Sequence, residues 1–293
     1  NGAGALDLVG DVRSESRPSL RQFDTLSGGS LRMEFIFTNE DDVAAPADTT
    51  NAALIALDDD GPRELGVMLA EDDARLESRV WQTDDQSDSP RIYYISGTSL
   101  RYDNQHGDAA VDGAGEMLIR DLQASDEIGG DDTAPFSAQG TSRFRWKTNL
   151  TMVHAFGDRY DITMSSDVEV VHRSLLDEIT TVTGDRLGLT MLRQSVDSDT
   201  TAADTASSDA LSFGGDVDVR RLWGEGRIFV RTPEREVECD RFDYNRYTDL
   251  ARLEATGNRR VTIKSRGSTR PVQAEVILWN LRDDSLTIER AGS

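Results

Sequence analysis

A single cysteine, Cys239, excludes an intrachain disulfide, and the three histidines, His106, His154 and His172, have no ligand spacing to one another or to that thiol, so no zinc set is present. Lysine is almost missing, with Lys147 and Lys264 alone, and arginine supplies the other cations against a formal charge of −22. Such an acidic balance argues against nucleic acid, whose phosphates demand a basic surface. It repels anionic membranes and other copies unless cations screen it, which fits a saline medium. No apolar run approaches the ~18–20 residues of a membrane span. Residues 1–10 lack the basic start and apolar centre of a signal peptide, so an exported form would already be mature. Hydrophobic content of 37% lies below the ~45–50% usual for a globular domain, as a thin structure with much surface requires.

Chemical motifs are equally scarce. There is no Gly-Xaa-Ser-Xaa-Gly elbow, no phosphate-cradling glycine loop and no cofactor fingerprint. Asp58-Asp59-Asp60-Gly61 lacks the alternating ligands and closing glutamate of a calcium loop and reads as a turn. The 54 acidic residues fall mostly in turns, so the chain is read as non-enzymatic, without metal or cofactor. Cys239 lies on the apolar side of its segment and reads as a buried, inert thiol.

What the chain does have is two-residue periodicity. In residues 237–288, Val237, Cys239, Phe242 and Tyr244, then Leu250 and Leu253, Val261 and Ile263, Val272 to Leu278, and Leu286 and Ile288 alternate with polar residues. This is the strand period, and the turn clusters between the runs put strand centres about 10–13 residues apart. The same scheme covers Leu31 to Phe37, Leu65 to Leu69, Leu76 to Trp81, Phe144 to Met152, Tyr160 to Val170 and Leu187 to Met191. Gly10-Asp11 and Gly28-Gly29 read as turns. Residues 195–209, made of Asp, Ser, Thr and Ala around few apolar groups, read as a flexible acidic loop. No long amphipathic helix is present. The expected fold is all-β, one elongated domain over residues 1–293.

An internal repeat stands out. Leu100-Arg101-Tyr102-Asp103-Asn104 lines up with Phe242-Asp243-Tyr244-Asn245, and each is followed by a turn, a small-apolar run ending at Gly113 or Gly257, and a further strand (Met117 to Ile119, Val261 to Ile263). With Ala274-Glu275-Val276-Ile277-Leu278 beyond it, the pattern resembles the OstA-like repeats of lipopolysaccharide-transport bridge proteins, over about residues 90–173 and 214–290. The resemblance implies a folded-over antiparallel β-jellyroll in the periplasm or at the cell surface, holding lipid acyl chains in an apolar groove. It also implies end-to-end stacking by strand pairing, with copies of itself or with other β-jellyroll envelope proteins. Lipid or lipopolysaccharide is then the expected ligand. The candidate groove residues are Leu100, Tyr102, Met117, Ile119, Phe144, Trp146, Met152, Met164, Val168, Leu187, Leu189, Phe242, Tyr244, Val261, Ile263, Val276 and Leu278. The same alternation serves a dry packed core. The chain is about twice the usual length of one bridge unit and its loops are more acidic, which leaves two alternatives: a self-assembling β filament subunit, or a glycan-binding module using Trp81, Trp223 and Trp279.

Overall fold

The computed structural model describes residues 3–37, 63–122, 139–194 and 216–291. The segments 58–62 and 195–209 discussed above lie outside the described residues. Within them the fold is all-β, a single antiparallel sheet of seventeen strands. Long strands come first: β1 (Ala3–Ser19), β2 (Gln22–Phe37), β3 (Arg63–Val80) and β4 (Arg91–Asp103). Four short ones follow, β5 (Asp108–Asp112), β6 (Gly115–Asp121), β7 (Gly140–Trp146) and β8 (Asn149–Phe156). A second long set is β9 (Arg159–Arg173), β10 (Ile179–Gln194), β11 (Asp216–Arg231) and β12 (Arg235–Asn245). The chain closes with β13 (Leu250–Glu254), β14 (Val261–Ser265), β15 (Val272–Ala274), β16 (Val276–Asn280) and β17 (Ser285–Arg290).

Each long strand is bent near its middle. Register shifts fall between Val9 and Val12, Ser27 and Ser30, Glu71 and Ala74, Gly184 and Arg186, and Glu225 and Ile228. Residues that tolerate a left-handed backbone sit there: Asp72 (φ 60°), Asp73 (φ 65°), Ser166 (φ 68°), Asp167 (φ 46°) and Gly226 (φ 72°). Gly10 and Gly28-Gly29 therefore do not end strands, as their composition led us to expect. They are bends inside β1 and β2, because a crease demands the same backbone freedom as a turn while the chain continues forward.

Aligned across the strands, these bends form one crease that divides the sheet into two leaves. β4 pairs with β6 on one side of the crease and with β5 on the other, so β5 and β6 are the halves of a single interrupted rung. β7 and β8 are likewise joined across the same line and pair with the two halves of β9. We call the leaf holding β6, β7, β14 and β15 the first, and that holding β5, β8, β13, β16 and β17 the second. The pairing scheme around β4 to β9 recurs around β12 to β17: β12 is flanked by β13 and β14, β13 by β16, β14 by β15 and β16 by β17. Strand β9 is the junction, bound to β7 and β8 on one side and to β10 on the other.

Alternate side chains from both leaves turn inward into one apolar cluster. Across the first leaf it runs through Phe144, Val170, Val182, Val230, Val237 and Ile263, consecutive partners in register. Across the second it runs through Leu100, Val111, Leu150, Met164 and Leu187, again partner to partner. Folding the sheet over lets a chain of modest apolar content bury nearly every inward residue while its outer faces stay charged.

Candidate functional site: the interior between the leaves

Of the residues expected to line the interior, Leu100, Phe144, Trp146, Met152, Met164, Val168, Leu187, Leu189, Phe242, Tyr244, Val261 and Ile263 belong to the buried cluster. Tyr102, Met117 and Ile119 are partly buried against it. Two expectations are corrected. Leu278 lies in the outer row as the partner of Arg252, and Val276, although buried, is not part of the cluster. The chain breaks between β15 and β16 at Glu275, so the alternation slips by one and Ile277 and Trp279 point inward in their place. Trp279, 2% exposed, is thereby removed from any surface platform of tryptophans.

A crevice of about 50 Å³ opens between the leaves in the N-terminal half. Its first-leaf wall includes Leu76, Tyr93, Ile95, Met117 and Ile119; its second-leaf wall includes Leu100, Val111, Leu150, Met152, Ile162 and Met191. Residues from the two leaves share one lining, which shows that the leaves face each other. Ligand pockets for molecules of ordinary size measure roughly 300–1,000 Å³. The crevice as it stands has room for water-sized occupants only.

Along its first-leaf rim runs one inward row in register, polar except at Ile119: Asp24, Ser78, then Tyr93, Ile119, Ser142, His172 and Thr180. Burial pushes the Asp24 carboxyl above its usual range, with Ser78 and Gln22 pulling it partly back. Ser142 Oγ lies 2.8 Å from Nδ1 of His172, whose Nε2 is buried without a hydrogen bond. Burial holds that imidazole neutral, its pKa down at about 4. The unfolded chain takes up this proton near pH 6.5 and the folded chain only near 4, so stability is full above that window and is lost as pH falls through it. The loss amounts to ~3 kcal/mol. His172→Gln should flatten the decline, seen as a smaller shift of the urea midpoint between pH 7 and pH 4.5. Asp24, with its raised value, acts in the opposite sense in both proteins and cancels from the comparison.

Other polar side chains serve the crease. Asp240, 6% exposed, accepts from the backbone N–H of Thr256 at 2.6 Å and its hydroxyl at 2.8 Å, and pairs with Arg259 at 2.7 Å. Beside it, Cys239 is buried, and desolvation with the Asp240 charge pushes its thiol up to about 12, so no thiolate exists at neutral pH. Along the ridge Lys147 pairs with Asp167 at 2.6 Å and Arg227 with Asp185 at 2.8 Å. Among the described residues, no group of three His, Cys, Asp or Glu side chains could hold a metal ion, and no helix is long and apolar enough to cross a membrane.

These features define a class, a creased antiparallel sheet closed on an apolar interior. No protein-family model, curated protein or solved structure matches the chain.

Proposed function

We propose that this protein is a non-enzymatic building block that joins copies of itself end to end by strand pairing. One observation carries the reading: among the described residues β1 is paired only with β2 and β17 only with β16, so both outermost rungs of the described sheet present a backbone edge. Side chains of the interior are part-uncovered at the same places, with Leu8 38% exposed on β1 and Ile288 50% exposed on β17. The occupant favoured is a second copy, because the chain already contains such a join. Inside the chain the antiparallel pairing of β9 with β10 joins the end of one repeat to the start of the next edge to edge, and β17 and β1 are the outermost rungs of the described sheet. Antiparallel alternation carried from rung to rung leaves β1 and β17 running the same way, so a copy displaced along the stack meets its neighbour in a parallel pair, unlike the antiparallel β9–β10 join inside the chain.

Sedimentation velocity across a concentration series, with negative-stain imaging, tests this. Wild-type protein should form linear assemblies, more readily as salt screens the acidic surface. A variant with Val9→Glu and Ile288→Glu should stay monomeric, since both positions belong to end rungs. Wild-type monomers at every concentration and salt level would overturn the reading.

A second reading rests on the crevice: acyl chains held between the leaves, as the resemblance to lipopolysaccharide-transport repeats implies, in a protein of the periplasm or cell surface. Its present volume calls for the leaves to part by several-fold before a lipid fits, which is why stacking is put first. Lipid recovered by native mass spectrometry from wild type and absent from Met164→Arg would support it.

A further inference from the structure

The two leaves do not end at the same depth. Through the second leaf one inward row runs partner to partner from Leu8 on β1, by way of Leu100, Met164 and Phe242, to Ile288 on β17. A neighbouring inward row runs in the same way from Leu6 to Leu286. Through the first leaf the matching row starts at Ser14 on β1 and ends at Val272 on β15. β15 and β16 are halves of one rung, since their partners β14 and β13 both pair with β12, and only the second leaf adds a further strand, β17. Among the described residues the first leaf is therefore one strand short at the C-terminal end of the sheet.

The end strands also differ in chemistry from leaf to leaf. Over residues 3–9, in the second leaf, β1 turns Leu6 and Leu8 inward and has Asp7 as its one charge; β17 turns Leu286 and Ile288 inward, and neither stretch contains proline. The first-leaf half of β1 turns Ser14 and Ser16 inward, in line with Leu26 and Asp24. It sets Arg13 and Glu15 outward as an ion pair at 3.0 Å, and it contains Pro18, which has no N–H to give. At the other end β15 is three residues long and follows Pro271 directly. Proline, charge and shortness are the devices by which natural sheets keep an edge from pairing. They gather on the first leaf at both ends of the molecule.

Building on the end-to-end reading above, we infer that copies join through the second leaf alone. With the rows carried on in step, Leu8 of one copy lies beside Ile288 of its neighbour and Leu6 beside Leu286, so the apolar rows continue through the join. In the first leaf the same placement sets β1 two rungs from the neighbour's β15, roughly 10 Å at the ordinary strand spacing, with one strand's width open between them. A serine-lined border on one side and a short, proline-headed strand on the other leave that slot poorly suited to recruiting a strand. The column is closed along one side and slotted along the other at every join.

Disulfide trapping on the full chain tests this with two designs. Asp7→Cys with Thr287→Cys places thiols at the two ends of one outward row of the second leaf. Arg13→Cys with Gln273→Cys does the same in the first leaf. All four positions are exposed, so neither design disturbs the interior, and Cys239 is buried. A bridge needs Cα atoms within about 7 Å, which the second-leaf pair meets across one rung and the first-leaf pair misses across two. Under a mild oxidant, non-reducing gels should show a ladder of covalent multimers for the second-leaf design, in about tenfold or greater excess over the first-leaf design. Both should sediment like wild type when reduced. Wild-type monomers at every concentration would overturn the end-to-end reading and this join with it. Columns that form but are bridged by the first-leaf pair, or by neither pair, would keep that reading and overturn the half-join.

Discussion

Asp240→Ala is expected to lower the unfolding free energy by about 2 kcal/mol, enough to shift thermal unfolding by several degrees. The carboxylate accepts from two Thr256 donors and also holds Arg259, so its removal takes the charged partner from an N–H, a hydroxyl and a guanidinium at an exposed corner, and the cost is that of the lost charge-assisted bonds. Its task is local. In the N-terminal repeat β5 passes to β6 through Gly113 and Ala114 alone, whereas β13 reaches β14 over residues 255–260. The longer corner needs an anchor, and Asp240 stands where the shorter corner has Thr98. Asp240→Asn, which keeps one acceptor oxygen but loses the charge, should cost roughly half as much. Circular dichroism melting curves of the two variants, compared with wild type, measure both numbers; equal and small shifts would remove the corner anchor from the account.

The second large effect belongs to Gly115, at the crease end of β6. A methyl group there would lie 2.2 Å from the Ser96 carbonyl oxygen and 2.6 Å from the Trp146 ring. Neither neighbour can retreat: Ser96 is paired with Glu116 in the sheet, and the Trp146 indole is buried and donates to the Gly113 carbonyl at 3.1 Å. Gly115→Ala should therefore destabilise by ~3 kcal/mol or more through strain and displaced packing. The check is chemical denaturation together with loss of Trp146 burial, read as a red shift of tryptophan emission.

How much of this was legible in the chain differs by residue. The all-β character was plain from runs such as Val261-Thr262-Ile263, because an inward and an outward face impose a period of two on any half-buried strand. Phase was legible only where a strand is unbroken. Phe242 and Tyr244 fall inward as their spacing predicts, while Val276 and Leu278 do not, since the interruption at Glu275 is indistinguishable in sequence from one more strand residue. Bends at Gly10 and Gly28-Gly29 looked like turns because the same residue types serve both. Polar positions were the least legible. Asp240 owes its importance to Thr256, 16 residues away, and among 54 acidic residues nothing in composition marks it. His172 sits on the inward side of β9 next to apolar neighbours, a placement that alternation indicates, but its bond to Ser142 spans 30 residues and appears only once β7 and β9 are paired.

That β1 and β17 point the same way has a result for any column built from them. Such a column is polar: one tip always offers a bare β1 and the other a bare β17, and no rotation exchanges them. A copy disabled at β17 alone would still dock through its β1 and then stop elongation at that tip, leaving the opposite tip to grow. Sub-stoichiometric amounts of such a copy would shorten the columns from one direction, whereas a two-fold symmetric pair would have no preferred tip to block.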